Sequence, residues 1–302
     1  MGNTNTQLTP SAVRLVSEEE LAKWLRERGR RIVQSDGRYW IDYWGFCRLL
    51  HFAATIPAER IRRPATDCWA FHVLLPKEDA EAANAWSPLH LVENLSGYGE
   101  WNLDDTRRKQ LRQCRKTFEL VRLTDAGMLA EQGWPIYSAN ARRLGVPAAI
   151  SRREYVLRAE SWVADTGRLI IGALDGERLV AYLESFAVAG TAYLDEIYLS
   201  AQALSANVSA YLHFEAAQLY RDSGVVQQLC AGPPLPERMG VSEFKRRIGI
   251  PIVELPARFW SPRPLSRLLR IVRPGAHYRA TGIPPRNMNA PGQRQDRQRE
   301  EV

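Results

Sequence analysis

The chain has no long apolar run and no leader-like start. Its apolar segments, such as 169–174 and 187–189, are far shorter than the roughly 18 residues that a membrane-spanning helix needs. The N-terminus, residues 1–10, is polar and lacks the charged and then apolar pattern of a signal peptide. We therefore expect no transmembrane segment and a cytoplasmic location.

Cysteine and histidine are scarce and widely spaced. The four cysteines include no CxxC pair, and the five histidines include no HExxH or similar ligand spacing. The spacing indicates neither a zinc site nor a disulfide framework, so we predict packed thiols and no metal site.

Apolar and aromatic residues, by contrast, are plentiful. The 302 residues are 45% hydrophobic and include nine Trp, eleven Tyr and eight Phe, which is enough to build a sizeable core. The length is about twice the roughly 150 residues of an average domain. We expect a folded chain with two domains or two lobes.

Positive charge is in excess, with a net charge of +7 that favours an anionic partner. Many of the arginines, however, lie in 258–299, a stretch rich in Pro, Gly, Asn and Gln. We predict that 261–302 is a largely disordered basic tail and that 1–14 is a disordered N-terminus. A solvated tail explains the net charge as well as a binding site does.

The N-terminal region mixes one helix with several strands. Ser17 and Glu20 form a capping box at the start of the helix, and Ser35-Asp36-Gly37 is a hairpin signal between two β-rich segments. The C-terminal half begins with an antiparallel meander, and its turns are predicted at Asp175-Gly176 and Ala189-Gly190. The predicted order there is strands 169–174, 178–188 and 191–199, helix 208–223, strand 225–230, helix 240–249 and strand 251–255.

Two short helices carry dense positive charge. In 106–116, capped by Asp104 or Asp105, one face holds Arg108, Arg112 and Arg115, which repel one another unless an anion neutralises them. The helix is either a phosphate or carboxylate cradle, to which Arg107 also belongs, or a solvated face with acidic neighbours.

In the second basic helix, 240–249, an apolar face that includes Phe244 is separated from the positive charge of Lys245 and Arg246, and Gly249 ends the helix. Lys245 is either a ligand for a carbonyl, phosphate or carboxylate group or an ordinary surface charge.

The order of elements and four sequence phrases resemble one branch of a transferase superfamily. The phrases are TRRKQLRQCRK (106–116), RLIIGALDGERLVAYL (168–183), YRDSG (220–224) and GVSEFKRRIG (240–249). Over about residues 90–256 the chain resembles the FemAB-like and BioF2-like branch of the GNAT (Gcn5-related N-acetyltransferase) superfamily. The resemblance implies an α/β (α+β) fold of two tandem GNAT-like lobes with mixed, largely antiparallel central sheets. A degenerate N-terminal lobe is then expected at 15–145 and a C-terminal lobe at 146–260.

The resemblance also implies transfer of an acyl or aminoacyl group to an amine-bearing acceptor. Acetyl-CoA-using members have a Gly-rich loop before the long helix, where backbone N–H groups hold a pyrophosphate. Here the loop, 200–209, has no glycine, and Ser205 and Ser209 are its candidate donor-binding residues. The anionic donor is either aminoacyl-tRNA, which agrees better with this loop, or acyl-CoA. A basic face at Arg107, Arg108, Arg112 and Lys245 suits tRNA or a phosphorylated acceptor.

Acyl transfer to an amine needs a base, and the meander supplies carboxylates. Glu184 and Asp195 are the candidate bases and Tyr198 a candidate donor to the leaving group. Alternate strand residues face opposite sides, so only one of Asp195 and Glu196 can face a given cleft. In the plain structural alternative the carboxylates are solvent-exposed and Tyr198 is core. The rival functions are a non-catalytic protein that binds nucleic acid or another polyanion, and an acetyl-CoA-dependent acetyltransferase.

Overall fold

The computed structural model describes residues 6–145, 150–165 and 167–284. The chain forms two compact units, each built from three separate segments. Unit 1 consists of Met1–Ser17, His90–Gly232 and Phe244–Pro251, and unit 2 of the remaining Glu18–Leu89, Pro233–Glu243 and Ile252–Val302.

The described residues contain strands of two to eleven residues. In chain order they are β1 (Thr6–Gln7), β2 (Leu15–Val16), β3 (Arg31–Ser35), β4 (Arg38–Tyr43), β5 (Phe46–Leu49), β6 (Ala70–Leu74), β7 (Ala85–Val92), β8 (Glu119–Arg122), β9 (Arg168–Asp175), β10 (Arg178–Val188), β11 (Thr191–Leu199), β12 (Gln228–Cys230) and β13 (Ile252–Trp260).

The helices alternate with these strands, and short 3₁₀ turns join several of them. In chain order the α-helices are α1 (Glu18–Glu27), α2 (Asp105–Thr117), α3 (Ala126–Met128), α4 (Trp134–Arg143), α5 (Arg152–Ala164), α6 (Ala201–Ser205), α7 (Val208–Asp222), α8 (Met239–Arg247), α9 (Arg263–Val272) and α10 (Pro274–Thr281).

The sheet of unit 1 is built around the predicted meander. Its strand order is β1-β8-β9-β10-β11-β12, followed by the end of β7, and β2 pairs alongside β10. β10 is antiparallel to both β9 and β11, whereas β12 is parallel to β11 because α7 forms the crossover between them. The fold is therefore mixed α+β with a largely antiparallel sheet, as the sequence predicts.

Alternation along β10 creates two cores in unit 1, one on each face of the sheet. Leu183 and Ala187 join a buried cluster that includes residues of α2 and α7. Tyr182, on the opposite face, joins a second cluster with Tyr155 of α5. Helices consequently cover both faces of this sheet.

Unit 2 has its own sheet, made of β3, β4, β5, β6 and β13. Asp36 and Gly37 join β3 to β4 with φ of 49° and 71°, the left-handed pair that a two-residue hairpin turn requires. Trp40 and Phe71 meet edge to face in the core of this unit, with ring centroids 6.3 Å apart.

The boundaries of the units differ from the consecutive lobes predicted at 15–145 and 146–260. Strands β1 and β2 and the end of β7 pair into the sheet of unit 1, so early and late segments share one sheet. Sequence order does not define such a division, because strand pairing joins residues that are distant along the chain. That an N-terminal lobe at 15–145 is a degenerate GNAT-like copy stays a prediction.

Both predicted disordered ends contain structure. Residues 6–14 supply β1 and a 3₁₀ turn at Pro10–Ala12, and the segment predicted as a tail supplies α9 and α10. α10 is ordered because it buries His277, Ala280 and Thr281. The sequence did not predict these buried positions, because the surrounding segment is rich in Arg, Pro and Gly, a composition typical of disordered chain. Residues 1–5 and 285–302 lie outside the described part of the chain.

The helix that follows β8 contains a π-helical turn. The sequence predicts an interruption at Gly133-Trp134-Pro135, but the chain continues from α3 through a π turn at Leu129–Gly133 into α4. Pro135 has no N–H to donate. Trp134, the residue before it, donates its N–H to the carbonyl of Leu129, five residues earlier, which is the hydrogen bond of a π turn. The wider turn keeps the helix continuous.

Candidate functional site

Strands β11 and β12 separate after a short parallel pairing. Thr191, Ala192 and Tyr193 pair with Gln228–Cys230, and the register ends there. The rest of β11 stays paired with β10, whereas the chain after β12 stays beside β7, where Ala231 N–H donates to the His90 carbonyl at 2.9 Å. We call the opening between β11 and Ala231 the strand gap. Backbone N–H groups along the edge of a diverging strand can donate to a bound carbonyl oxygen.

A β-bulge lies where the strand gap begins. Glu184 pairs with Glu196 and Ser185 pairs with Leu194, so Asp195 is the extra residue of β11. A bulge bends its strand and redirects the neighbouring side chains. The carboxylates of Asp195 and Glu196 both belong to exposed residues at this bend.

Lys245 of α8 lies at the end of β12. Its Nζ donates to the carbonyl of Ala231 at 2.5 Å. Burial lowers the pKa of Lys245 to about 8. Burial, with a further contribution from the charge of Lys245, also lowers the pKa of both His90 and His213 to about 4. At neutral pH the site therefore combines a cationic lysine with two neutral histidines.

His213 of α7 has a defined tautomer. Its Nδ1 lies 2.7 Å from the carbonyl of Ser209, one turn earlier in the helix. A carbonyl oxygen only accepts, so Nδ1 carries the hydrogen and Nε2 is the basic nitrogen. The imidazole meets the Phe244 ring edge to face, with centroids 5.4 Å apart. Phe244 thus fixes the histidine ring next to Lys245.

Arg107 joins α2 to the start of α7 and to α8. Its guanidinium donates to Oδ1 of Asn207 at 3.0 Å and lies 5.4 Å from the centre of the Phe244 ring. Asp104 caps α2 by accepting from Arg107 N–H at 2.8 Å, and its carboxylate pairs with Arg247. These contacts hold three elements together around one cation.

The loop before α7 is helical instead of forming a phosphate cradle. Ser200 caps α6 by accepting from Ala203 N–H at 3.1 Å, and the Ser205 hydroxyl donates to the Gln202 carbonyl at 2.9 Å. Without a glycine, the loop uses Asn207, with φ of 60°, for its one left-handed residue. The predicted donor-binding Ser205 is engaged within its own helix, and the carbonyl of Ser209 bonds His213.

A group of tyrosines covers the other face of β10 and β11. The Tyr182 and Tyr198 rings stack with centroids 4.7 Å apart, and Tyr137 lies 5.4 Å from Tyr198. The Tyr182 hydroxyl is 2.9 Å from that of Tyr155, and burial raises the pKa of both phenols. Tyr198 donates its hydroxyl to the Glu196 carboxylate. We call this set, Tyr137, Tyr155, Tyr182 and Tyr198, the tyrosine face.

Glu184 is held in a buried ion pair. Arg168 Nη1 donates to Glu184 Oε2 at 2.7 Å, and both side chains are 3% exposed. The guanidinium also lies over the Trp162 ring, 5.9 Å from its centre. A carboxylate engaged in this way serves the packing of the sheet instead of facing an incoming amine. In this geometry Glu184 is engaged by Arg168, and its role as a base stays a prediction.

The structure brings only part of the predicted basic surface into the site. Arg107, Phe244 and Lys245 come together, as described above. Arg108 instead pairs with Asp105 on its own helix, and Arg112 is exposed. Arg115 pairs with Glu100 at 2.5 Å and with Glu215 at 2.7 Å. Carboxylates of the protein itself therefore neutralise positive charge on this face of α2. Arg246 is exposed at the surface of α8.

Sequence reasoning missed His213, His90 and most of the tyrosine face. The histidines follow no motif, because they reach Lys245 from β7 and α7 through tertiary packing. The tyrosines carried a weaker signal that was available. Tyr182 and Glu184 alternate on one strand, as do Glu196 and Tyr198 on the next, which places all four on one face.

Over residues 6–145, 150–165 and 167–284, no group of three or more His, Cys, Asp and Glu side chains is placed to hold a metal ion. No helix of the described chain combines the length and apolar character needed to span a bilayer. The four cysteines are buried free thiols.

No protein-family model matches the chain, and no curated protein sequence matches it either. Among solved structures it is similar to the C-terminal domain of a protein from Agrobacterium fabrum classed as a lysylphosphatidylglycerol synthetase. The TM-score is 0.52 with 12% identity, over 88% of this chain and 96% of that one. It is also similar to FemX, with a TM-score of 0.57 and 9% identity, over 82% of this chain and 92% of that one.

The fold is therefore similar to those of FemX and of the lysylphosphatidylglycerol synthetase domain. At these identities the similarity shows the fold alone. Within this fold the strand gap and the bulge at Asp195 follow from the chain's own strand pairing. The helix in place of a glycine loop before α7 follows from the composition of 200–209.

Proposed function

We propose that the protein transfers an aminoacyl group from aminoacyl-tRNA to an amine. The observation that carries this proposal is the helical loop before α7, which offers no glycine cradle for a CoA pyrophosphate, together with a half-buried cationic Lys245 at the strand gap. An aminoacyl ester needs no pyrophosphate site, since its polyanion is the extended tRNA backbone. The FemAB-like fold supports the same class of reaction.

The donor carbonyl binds in the strand gap. There the amine nitrogen attacks the ester carbon, a C–N bond forms, and negative charge develops on the carbonyl oxygen. Backbone N–H groups at the edge of β11 and the ammonium group of Lys245 stabilise that charge. When the tetrahedral intermediate collapses, the C–O bond to the tRNA ribose breaks and the ribose oxygen leaves.

The acceptor amine approaches from the tyrosine face. Glu196 lies at the bulge with its carboxylate oriented by the Tyr198 hydroxyl, and it takes the proton that the amine loses on attack. The proton passes to the departing ribose oxygen. Asp195 is the extra residue of the bulge. Its insertion bends β11 and so determines where the Glu196 side chain points, and the charge of Asp195 has no part in this.

The donor is tested by measuring the melting temperature of the full chain with aminoacyl-tRNA, uncharged tRNA and acetyl-CoA. A ligand that binds only the native state raises the midpoint, by about 2.7 kcal/mol of stability at a hundred times its Kd. We expect the largest shift with aminoacyl-tRNA and loss of acceptor-dependent tRNA release in Lys245→Met. A shift with acetyl-CoA alone contradicts the proposal. Equal shifts with charged and uncharged tRNA, without any transfer, support the non-catalytic binding protein instead.

We expect Glu196→Gln to reduce aminoacyl transfer by about 10²–10⁴-fold, because it removes the proton acceptor while keeping the hydrogen bond from Tyr198. Asp195→Asn is the matched control in the adjacent position, and it should keep transfer within about threefold. Steady-state kinetics with an amine acceptor at several pH values provides the comparison. Glu196 is not the base if the two variants lose activity equally, or if only Asp195→Asn does.

A further inference from the structure

Helix α9 presents an apolar surface that none of the residues described, 6–145, 150–165 and 167–284, covers. Its ten residues include no buried side chain, although six of them are Leu, Ile, Val or Pro. Leu268, Ile271 and Val272 are 53%, 78% and 60% exposed, respectively. Exposed apolar residues that stand alone are ordinary, but three on neighbouring turns of one helix mark an interaction surface.

The same helix is strongly cationic. Arg263, Arg267 and Arg270 recur at spacings of four and three residues, so they form one stripe along the helix, and Arg273 follows its end. No Asp or Glu occurs anywhere in 261–284. The arginine stripe therefore has no acidic residue on its own segment to neutralise it.

The remaining side of α9 faces the protein. Leu265 and Leu269, one turn apart, are half-buried, and α9 packs against α10. α10 is in turn fixed in unit 2, where His277 meets Phe259 edge to face at 6.4 Å and the Ser87 hydroxyl donates to the Arg279 carbonyl at 3.3 Å. α9 is thus an anchored helix with an apolar side and an arginine side both turned outward.

We propose that α9 binds the surface of an anionic lipid bilayer. Helices that lie in the interface of a membrane have this arrangement, with apolar side chains in the acyl boundary and flexible arginines reaching lipid phosphates. An anionic membrane surface attracts each arginine near it, which matches the stripe of like charge. The inference stands on α9 alone and does not depend on the proposed transfer reaction.

Two other occupants fit the surface less well. A second copy of the chain would bring two arginine stripes together, and three exposed side chains provide far less than the roughly 800 Å² per partner of a stable interface. RNA would satisfy the arginines through its phosphates but would leave Leu268, Ile271 and Val272 without an apolar partner.

The test is co-sedimentation of the full chain with vesicles of phosphatidylcholine alone and of phosphatidylcholine mixed with phosphatidylglycerol. The first variant removes the apolar side of α9: Leu268→Ser/Ile271→Ser/Val272→Ser. The second removes its charge: Arg263→Gln/Arg267→Gln/Arg270→Gln. The matched control makes the same kinds of change on the exposed side of α5: Arg152→Gln/Arg153→Gln/Leu157→Ser.

We expect the wild type and the α5 control to bind the mixed vesicles, with weak binding to phosphatidylcholine alone. Each α9 variant should lower the partition coefficient by at least about tenfold and leave the melting temperature unchanged, since α9 buries no side chain. Raised salt should weaken the wild-type interaction.

Three outcomes overturn the proposal. The first is no wild-type binding to the mixed vesicles. The second is binding that the α9 variants retain in full. The third is loss of binding only through a change of oligomeric state, in which the apolar variant shifts the wild type from dimer to monomer on size-exclusion chromatography. RNA binding that depends on the arginines, without vesicle binding, falls under the first outcome.

Discussion

Lys245→Met is expected to reduce aminoacyl transfer by about 10²–10³-fold, because it removes the cation that faces the developing oxyanion in the strand gap. Methionine keeps the length and apolar character of the buried stem. Lys116→Met, which removes an exposed lysine at the end of α2, is the matched control and should retain transfer. The measurement is single-turnover release of tRNA in the presence of an amine.

The same variant has a stability signature that depends on pH. The pKa of Lys245 falls from 10.5 to about 8 on folding, since burial disfavours the ammonium form. The unfolded state then binds more protons than the folded state between these values, so wild-type stability rises as pH increases from 8 to 10.5. Lys245→Met removes this rise, which amounts to at most about 3 kcal/mol.

Denaturant unfolding at pH 7 and pH 10.5 therefore distinguishes a functional lysine from a structural one. We expect Lys245→Met to gain stability relative to the wild type at pH 7 and to lose that advantage at high pH. A variant that is less stable than the wild type at pH 7, with transfer reduced in proportion to unfolding, would show that Lys245 supports the fold instead.

Glu184→Ala is expected to destabilise the protein by about 3–5 kcal/mol. The substitution leaves the Arg168 guanidinium buried without the carboxylate that it now meets at 2.7 Å. Arg168→Met should have a similar cost for the complementary reason. Replacing both partners, as in Arg168→Met/Glu184→Leu, removes two buried charges together and should recover most of the loss.

The double variant also decides the role of Glu184 in the reaction. If Glu184 is structural, the refolded double variant transfers aminoacyl groups at a rate within about tenfold of the wild type. If Glu184 is the base, stability returns but transfer remains reduced by about 10²-fold or more. Chemical denaturation and transfer kinetics on the same preparations separate the two cases.

The sequence predicted the C-terminal meander closely. The predicted strands 178–188 and 191–199 coincide with β10 and β11, and helix 208–223 differs from α7 by one residue. These elements are local: alternation and turn residues such as Asp175-Gly176 and Ala189-Gly190 define them without reference to the rest of the chain. The fold class followed from the resemblance of their order to a known family, and the structure confirms a mixed α+β fold with a largely antiparallel sheet.

The candidate site was predictable only in part. Arg107 stood out because it lies in a run of basic residues, and Phe244 and Lys245 stood out because 240–249 resembles a family phrase. The choice between Asp195 and Glu196 was not accessible, since it depends on a bulge that one extra residue creates in β11. Glu184 resembled a base from its position in an apolar strand, and only the neighbouring strand revealed Arg168 as its partner.

By itself, the sequence determined the meander β9–β11 with α7, the absence of a glycine cradle before α7, and the charge of α2, α8 and α9. Each of these depends on neighbouring residues, whose period, caps and turns are encoded locally. Tertiary structure alone decided that early and late segments share one sheet, that His213 and His90 surround Lys245, and that α9 keeps an uncovered apolar side. Those outcomes depend on which surfaces, distant along the chain, bury one another. The free energy of that burial is summed over the whole fold, so no short stretch of sequence encodes it.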